Sequence, residues 1–168
     1  MKLASKVKIG ISSCLLGNKV RYDGEHQYHA NIIKTLNQGF ELISFCPEME
    51  IGLGAPRPKI QLVEREGIIS CMDEATHTVD YTDKLSRCCD LQMDWLNQIS
   101  GYIFKTKSPS CGLSKVKTDY HGIIRADGKG IFAQRLLVLL PNLPTIEDDQ
   151  FDNIDQRARF LSAVAEYR

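Results

Sequence analysis

The stretch VKIGISSCLLG, at Val7–Gly17, decides the fold of this chain. Its β-branched residues predict a buried strand that ends at Cys14, and the sequence after the cysteine predicts a turn or the start of a helix. Two later segments repeat this order of an apolar strand, a cysteine and a turn. They are FELISFCPE at Phe40–Glu48 and GYIFKTKSPSCG at Gly101–Gly112. The chain therefore places a cysteine at the end of each of three predicted strands.

Helical patterns lie between the predicted strands, which favours an α/β fold with a mainly parallel sheet. The predicted strands are Val7–Ser13, Glu41–Cys46, Ile60–Glu64 and Gly101–Lys105. The predicted helices are His29–Gly39, Thr82–Ser100, Gly130–Leu140 and Asp155–Tyr167. If the strands run parallel, Cys14, Cys46 and Cys111 leave the sheet at one edge, where open α/β sheets bind ligands.

A chain of 168 residues fits one domain comfortably. The acidic segment Thr145–Asn153 reads as a linker before the last predicted helix. We therefore predict an α/β domain over residues 1–145, followed by an acidic linker and a C-terminal helix over residues 146–168. This C-terminal part belongs either to the same domain or to the remnant of a lost second domain.

Charge and hydropathy exclude several classes of protein. The chain has 21 basic and 21 acidic side chains, so no overall attraction to nucleic acid is expected. Lys6 and Lys8 interrupt the apolar N-terminal run, which argues against a signal peptide and against a membrane span. We expect a cytoplasmic protein, in which six cysteines indicate metal, catalytic or packing roles rather than disulfides.

Two interpretations of Cys14, Cys46 and Cys111 stay open from the residues alone. Buried cysteines often act as small apolar residues. Three of them at equivalent strand ends favour instead a shared metal or cluster site with an open position. Thiolates suit an iron–sulfur cluster, zinc or copper(I), and the absence of a Cys-x-x-Cys pair argues against a zinc finger or ribbon. The remaining cysteines receive no functional role: Cys71, Cys88 and Cys89.

Polar residues beside the three cysteines are candidates for acid–base chemistry or substrate binding. Glu48 follows the second cysteine by two positions and is a candidate general base, although a helix N-terminal charge explains it equally well. The hydroxyls of Ser108 and Ser110 are suited to bond a substrate, to relay a proton or to cap the following turn. The same alternatives hold for Ser12 and Ser13.

Basic side chains alternate around the third cysteine, at Lys105, Lys107, Lys115 and Lys117. A solvated strand face accounts for this pattern most simply. The alternative is a basic rim that attracts phosphate or RNA. The lysines therefore assign no partner by themselves.

Six short motifs together resemble the TudS-type thiouracil desulfidase family: ISSCLLG, RYDG, FCPE, GLGAPRP, KSPSCG and GKGIFA. They follow the family's order over about residues 7–140. The resemblance implies a Rossmann-like, three-layer α/β fold that carries a [4Fe-4S] cluster on Cys14, Cys46 and Cys111. One iron then has no protein ligand and binds the sulfur of a thiolated pyrimidine. The thiocarbonyl becomes a carbonyl, and sulfide is released.

The resemblance also implies roles for individual residues. Glu48 would activate water and transfer protons, and Ser108 would position the substrate or relay a proton. Four further residues would line the substrate pocket: Ser12, Ser13, Lys107 and Ser110.

The motifs look most like the branch of the family that acts on 4-thiouracil and on 4-thiouridine in RNA, with 2-thiouracil as an alternative. Many members of that branch carry a second, mostly helical domain, and such a domain does not follow here before Arg168. We therefore expect a free thiolated base or nucleoside as the substrate, with RNA as the less favoured one.

Two other hypotheses stay open. A non-catalytic iron–sulfur or metal-binding sensor, or a sulfur carrier, needs the three cysteines but neither Glu48 nor Ser108. Redox chemistry at one reactive cysteine needs no metal. The iron content and the Glu48→Gln variant separate these hypotheses.

Overall fold

The computed structural model describes residues 4–167, and the chain adopts the predicted α/β fold. The strands are β1 (Val7–Ser12), β2 (Phe40–Phe45), β3 (Ile60–Arg65), β4 (Ile68–Asp73), β5 (Gly101–Phe104), β6 (Val116–Tyr120), β7 (Ile123–Gly128) and β8 (Thr145–Glu147). The helices are α1 (Ala30–Leu36), α2 (Pro47–Glu50), α3 (Thr82–Leu91), α4 (Met93–Leu96), α5 (Ile131–Leu139), α6 (Asp148–Phe151) and α7 (Ile154–Glu166). A short 3₁₀ helix, Ser13–Leu16, follows β1.

Four strands form the first sheet, in the order β2-β1-β5-β8, and every pair in it is parallel. Within it, Ile9 of β1 pairs with Leu42 on one side and with Gly101 on the other. Parallel strands that are covered on both faces have nearly continuous apolar sequences. This is why β1 and β5 could be predicted from the sequence. The predicted parallel sheet is confirmed, and the strand ends that carry the three cysteines lie at one edge.

Helices cover both faces of the parallel sheet and so form the three layers. Along β5, Ile103 packs in a cluster with Phe160 of α7, whereas Tyr102 packs in a second cluster with Phe132 of α5. The second sheet adds a third cluster, in which Leu62 of β3 packs near α3 and α5. No helix among residues 4–167 has the length and apolar character needed to cross a membrane.

The other four strands form a mixed sheet in the order β4-β3-β6-β7. β3 and β6 pair in parallel, and each forms an antiparallel hairpin with its outer neighbour. The sequence predicted only Ile60–Glu64 of this sheet. The hairpins turn at Glu66–Gly67 and His121–Gly122, where all four residues have positive φ. Neither dipeptide is the Asn-Gly or Asp-Gly signal typical of such turns, so both hairpins were missed.

The four predicted helices are present with shifted ends, but the prediction of one continuous helix over Thr82–Ser100 is wrong. At Gln92 the backbone leaves the helical conformation, with φ −96° and ψ 3°. The side chain of Gln92 accepts a hydrogen bond from Trp95 Nε1 at 2.7 Å, which stabilises the bend between α3 and α4.

The acidic segment Thr145–Asn153 is structured, contrary to its interpretation as a linker. It contains β8, which extends the parallel sheet, and the short helix α6. The carboxylates of Glu147 and Asp148 accept backbone N–H groups at 3.3 and 2.7 Å. Acidic side chains here satisfy buried backbone groups, which composition alone does not reveal. The division of the chain after residue 145 stays a prediction.

Candidate active site

All nine residues singled out from the sequence line one cavity of about 380 Å³. They come from the ends of β1, β2 and β5 and from the segments directly after these strands: Ser12, Ser13, Cys14, Cys46, Glu48, Lys107, Ser108, Ser110 and Cys111. Ile60 of β3 and Val116 of β6 add the mixed sheet to the wall. The structure brings the predicted site residues together, and the role of each stays a prediction.

Burial raises the pKa of every cysteine of the trio. The pKa of Cys14 rises from 9.0 to about 11 because the thiol is buried, while the Lys105 ammonium opposes the rise and Cys46 adds to it. Burial also raises the pKa of Cys46 and of Cys111, and Cys46 adds to the rise at Cys111. The thiols are therefore protonated at neutral pH, and a metal that binds them must displace their protons.

The donor set at the cavity fits an iron–sulfur cluster. Cys14, Cys46 and Cys111 supply three thiol groups, which is the donor type that such clusters use. In an iron–sulfur cluster each thiolate binds its own iron atom, so the sulfur atoms stand apart. All six cysteines are free, and the three that received no role do not line the cavity. Three thiol donors at one cavity therefore fit a cluster.

Glu48 lies in the first turn of α2, directly after the proline that begins this helix. Its Oε2 atom accepts a hydrogen bond from Ser110 Oγ at 3.2 Å and lies 3.3 Å from Nη2 of Arg57. The Glu48 side chain is 14% exposed and lines the cavity. A carboxylate in this position is able to accept a proton from a water molecule in the cavity.

A chain of hydroxyl groups links Ser108 to Glu48. The Oγ atom of Ser108 lies 3.0 Å from that of Ser110, which in turn donates to the carboxylate. Ser108 Oγ also accepts the backbone N–H groups of Ser110 and Cys111, at 3.3 and 3.1 Å. Ser108 therefore shapes the loop of Cys111, and its hydroxyl is connected to the Glu48 carboxylate through Ser110. Ser110, which the sequence marked as a residue to bind substrate, relay a proton or cap the turn, lies between Ser108 and Glu48.

The two serines that precede the first cysteine are buried and have protein partners. Ser12 Oγ accepts the backbone N–H of Lys105 at 2.9 Å, and Ser13 Oγ accepts a hydrogen bond from Asn18 Nδ2 at 2.7 Å. Burial raises the pKa of Cys111, and hydrogen bonds from its neighbours, Ser12 among them, partly oppose this. Ser12 therefore joins the end of β1 to the segment after β5.

Gly130, in the motif GKGIFA, lets α5 approach the loop of Cys111. A Cβ atom at Gly130 would lie 2.4 Å from the backbone carbon of Ser110 and 2.5 Å from the nitrogen of Cys111. The N–H of Gly130 donates to Gly112 at 2.7 Å, and that of Ala133 donates to Ser110 at 3.1 Å. The helix thus holds the cysteine loop through backbone contacts that require glycine.

Arg57 and the buried setting of Lys105 were not predicted from the sequence. The Arg57 side chain is 3% exposed and pairs with Glu48. The Lys105 ammonium lies 3.2 Å from Asp148 Oδ2, and both residues are mostly buried. An arginine between two prolines in GLGAPRP was the only signal for the first residue. Its partners stand elsewhere in the chain, so the sequence did not show that it is buried.

Comparison with known proteins agrees with this geometry. The 2-thiouracil desulfurase family model matches residues 9–148, which include all three cysteines of the cavity. A solved structure of a [4Fe-4S]-dependent thiouracil desulfidase, TudS, is similar to this chain, with a TM-score of 0.69 and 28% sequence identity. That similarity covers 92% of this chain and 99% of the other. No curated protein sequence matches. The extent of the family match shows that this chain belongs to the 2-thiouracil desulfurase family.

Proposed function

We propose that the chain is an iron–sulfur-dependent desulfidase that converts a thiolated pyrimidine to its oxo form and releases sulfide. The observation that carries this proposal is the meeting of Cys14, Cys46 and Cys111 with Glu48 at one cavity. Membership of the 2-thiouracil desulfurase family supports the same activity. The similarity to a [4Fe-4S]-dependent thiouracil desulfidase supports the cofactor.

We assign Cys14, Cys46 and Cys111 as the ligands of a [4Fe-4S] cluster. No fourth cysteine among residues 4–167 lines the cavity, so one iron is left without a thiolate from the described chain. When bound, such a cluster supplies an open coordination position for the sulfur of a thiocarbonyl group. The side chains around it then need to hold the ring and to deliver water.

Glu48 is assigned the role of general base. It takes one proton from a water molecule, whose oxygen bonds the ring carbon while one bond of the C=S group breaks and its electron pair moves to sulfur. The second proton of the water then passes to sulfur, the remaining C–S bond breaks and the C=O bond forms. One water is consumed, the sulfur leaves as hydrosulfide and one proton stays on Glu48, so no oxidant or reductant is needed. Ser108, connected to Glu48 through Ser110, positions the substrate or passes the proton onward. The remaining pocket residues are assigned to substrate binding: Ser12, Ser13 and Lys107.

The proposed substrate is a free base or nucleoside, with 4-thiouracil or 4-thiouridine preferred to 2-thiouracil. Small-molecule sites span about 300–1,000 Å³, and a cavity of about 380 Å³ that also holds the proposed cluster favours a small substrate such as a base or nucleoside. The preference for 4-thio compounds depends on the resemblance of the Lys105–Lys117 segment to one branch of the family. RNA is less favoured because the charges of the chain balance. Six free cysteines support a cytoplasmic location.

The contacts favour the enzyme over the two other hypotheses. Burial raises the pKa of all six cysteines, whereas a redox-active cysteine has a lowered pKa and partial exposure. A sensor or sulfur carrier needs only the cluster ligands. The hydrogen bonds that connect Ser108 to Glu48 would have no function in such a protein.

Sulfide release tests the proposal. The chain is reconstituted with iron and sulfide without oxygen and is given 4-thiouracil, 4-thiouridine, 2-thiouracil or tRNA that contains 4-thiouridine. We expect release by the wild type and by Cys71→Ala, a buried cysteine outside the cavity, but not by Cys46→Ser. Release from tRNA alone would replace the proposed substrate by RNA. No release at full iron content would favour the sensor or carrier.

A further inference from the structure

Arg57 is a buried charged residue at the cavity to which the proposed function gives no role. Its guanidinium Nη1 donates to the carbonyl oxygens of Val20 and Gly54, at 2.7 and 2.6 Å. Its Nη2 lies 3.3 Å from Oε2 of Glu48, and the arginine side chain is 3% exposed. Two backbone carbonyl groups therefore hold the guanidinium of Arg57, which faces the carboxylate of Glu48.

These contacts join the segments that follow the first two cysteines. Val20 lies after the turn of Cys14, and the thiol of Cys46 lies 4.0 Å from the same Val20 carbonyl oxygen. The backbone N–H of Arg57 also donates to Tyr22 at 2.7 Å. One residue thus fixes both segments relative to each other at the point where Glu48 enters the cavity.

The two carboxylate oxygens of Glu48 have different surroundings. Oε2 accepts from Ser110 and faces Arg57, so that its position is set by two partners. Oε1 has no hydrogen-bond partner within the described part of the chain, although Glu48 lines the cavity. Oε1 is therefore the oxygen that is free to bind a water molecule.

We propose that Arg57 is a positioning residue that holds Glu48 through Oε2 and leaves Oε1 as the atom that accepts the proton of water. This inference rests on the proposed function. In the step, one O–H bond of water breaks and its proton goes to Oε1, while the water oxygen bonds the ring carbon and one bond of the C=S group breaks, with its electron pair moving to sulfur. Arg57 keeps its charge and its partners throughout, and it acts only through the orientation of the carboxylate.

A double-mutant cycle separates positioning from a general structural role. The variants are Arg57→Gln, Glu48→Gln and both together, and Arg57→Lys keeps the charge but loses the planar fork. The matched control is Arg135→Gln, which removes an arginine paired with Asp90 at 2.8 Å outside the cavity. Iron content, kcat and KM are measured for each reconstituted protein.

We expect Arg57→Gln to lower kcat about tenfold or more, with KM changed less than about threefold. The double variant should have a kcat within about twofold of that of Glu48→Gln alone. Arg57→Lys should recover part of the loss, and Arg135→Gln should match the wild type. The positioning role is overturned if Arg57→Gln lowers kcat by the same factor in the wild type and in Glu48→Gln. It is also overturned if Arg57→Gln leaves kcat unchanged in both proteins.

A second readout needs neither iron nor activity. Hydrogen exchange of the metal-free chain should be about tenfold faster in Arg57→Gln over residues 20–24 and 47–54, and unchanged in Arg135→Gln. Equal exchange in wild type and Arg57→Gln would overturn the contacts on which the inference depends. Absence of sulfide release by the wild type is a separate result, because it rejects the proposed function and leaves the exchange experiment to decide whether Arg57 holds these segments.

Discussion

Ser110 Oγ lies 3.2 Å from Glu48 Oε2, although the two residues are 62 positions apart in the chain. This contact joins the loop that carries Cys111 to the helix that follows Cys46. Ser110 is almost fully buried, so water does not compete freely for its hydroxyl. The hydrogen bond is therefore a specific link between the candidate base and the candidate proton path.

Replacement of Ser110 by alanine should lower kcat while the cluster stays bound. The change breaks the path between Ser108 and Glu48 and removes one of the two partners of the carboxylate. We expect kcat to fall about 100-fold, a typical contribution of acid–base catalysis. Ser114→Ala, in the same region but outside the cavity, should retain the wild-type rate. Equal rates for wild type and Ser110→Ala would exclude this path.

Replacement of Ser108 by alanine should also lower stability, because its hydroxyl accepts two backbone N–H groups. The free energy of unfolding of the metal-free chain should fall by about 1–2 kcal/mol. Urea denaturation measures this change, with Ser114→Ala as the comparison. An unchanged midpoint would show that the loop of Cys111 does not depend on the Ser108 hydroxyl.

Addition of a methyl group at Gly130 should displace the loop of Cys111. The new Cβ atom would lie 2.4 Å from the backbone of Ser110, which is held against α5 by a hydrogen bond from the N–H of Ala133. We expect a loss of about 1–3 kcal/mol in unfolding free energy and a lower iron content after reconstitution. Gly39→Ala is the control because no atom lies within 4 Å of its added Cβ. Full iron binding by Gly130→Ala would contradict the prediction.

The stability of the metal-free chain should fall in alkali because of buried thiols outside the cavity. Burial raises the pKa of Cys89 from 9.0 to about 12. The folded chain thus holds this proton more tightly than the unfolded chain does. The resulting stabilisation is complete below about pH 9 and is lost as the pH rises through about 12.

Between about pH 9 and pH 11 the contribution of Cys89 should fall by about 2 kcal/mol. Unfolding by urea at a series of pH values measures the loss. Comparison with Cys89→Ala isolates this thiol from other groups that titrate in alkali. If the free energy of unfolding falls with pH equally in the wild type and in Cys89→Ala, Cys89 is not responsible for the loss of stability.

The sequence was sufficient to find the parallel sheet and the cysteine site, because both leave local patterns. Apolar runs mark β1, β2 and β5, and a cysteine follows each run. The parallel arrangement then brings Cys14, Cys46 and Cys111 to one edge without further information. For the same reason, the neighbouring residues Glu48 and Ser108 were identified from their positions beside cysteines.

The features that the sequence did not predict depend on contacts between distant parts of the chain. Arg57 is buried because carbonyl groups and Glu48 surround its charge, and no local pattern records those partners. The acidic residues Glu147 and Asp148 resemble a solvated linker until their backbone partners are known. The mixed sheet was missed because its turns use Glu66–Gly67 and His121–Gly122, which are weak turn signals.

The strand order β2-β1-β5 has a consequence for how the holoprotein is made. Cys14 and Cys46 emerge early from the ribosome, but their partner Cys111 reaches the site only after β5 has been synthesised and has paired with β1. A nascent chain that ends before β5 therefore lacks one of the three proposed cluster ligands. Because metal binding and folding share their free energy, we expect the proposed cluster to bind only after β5 has paired with β1.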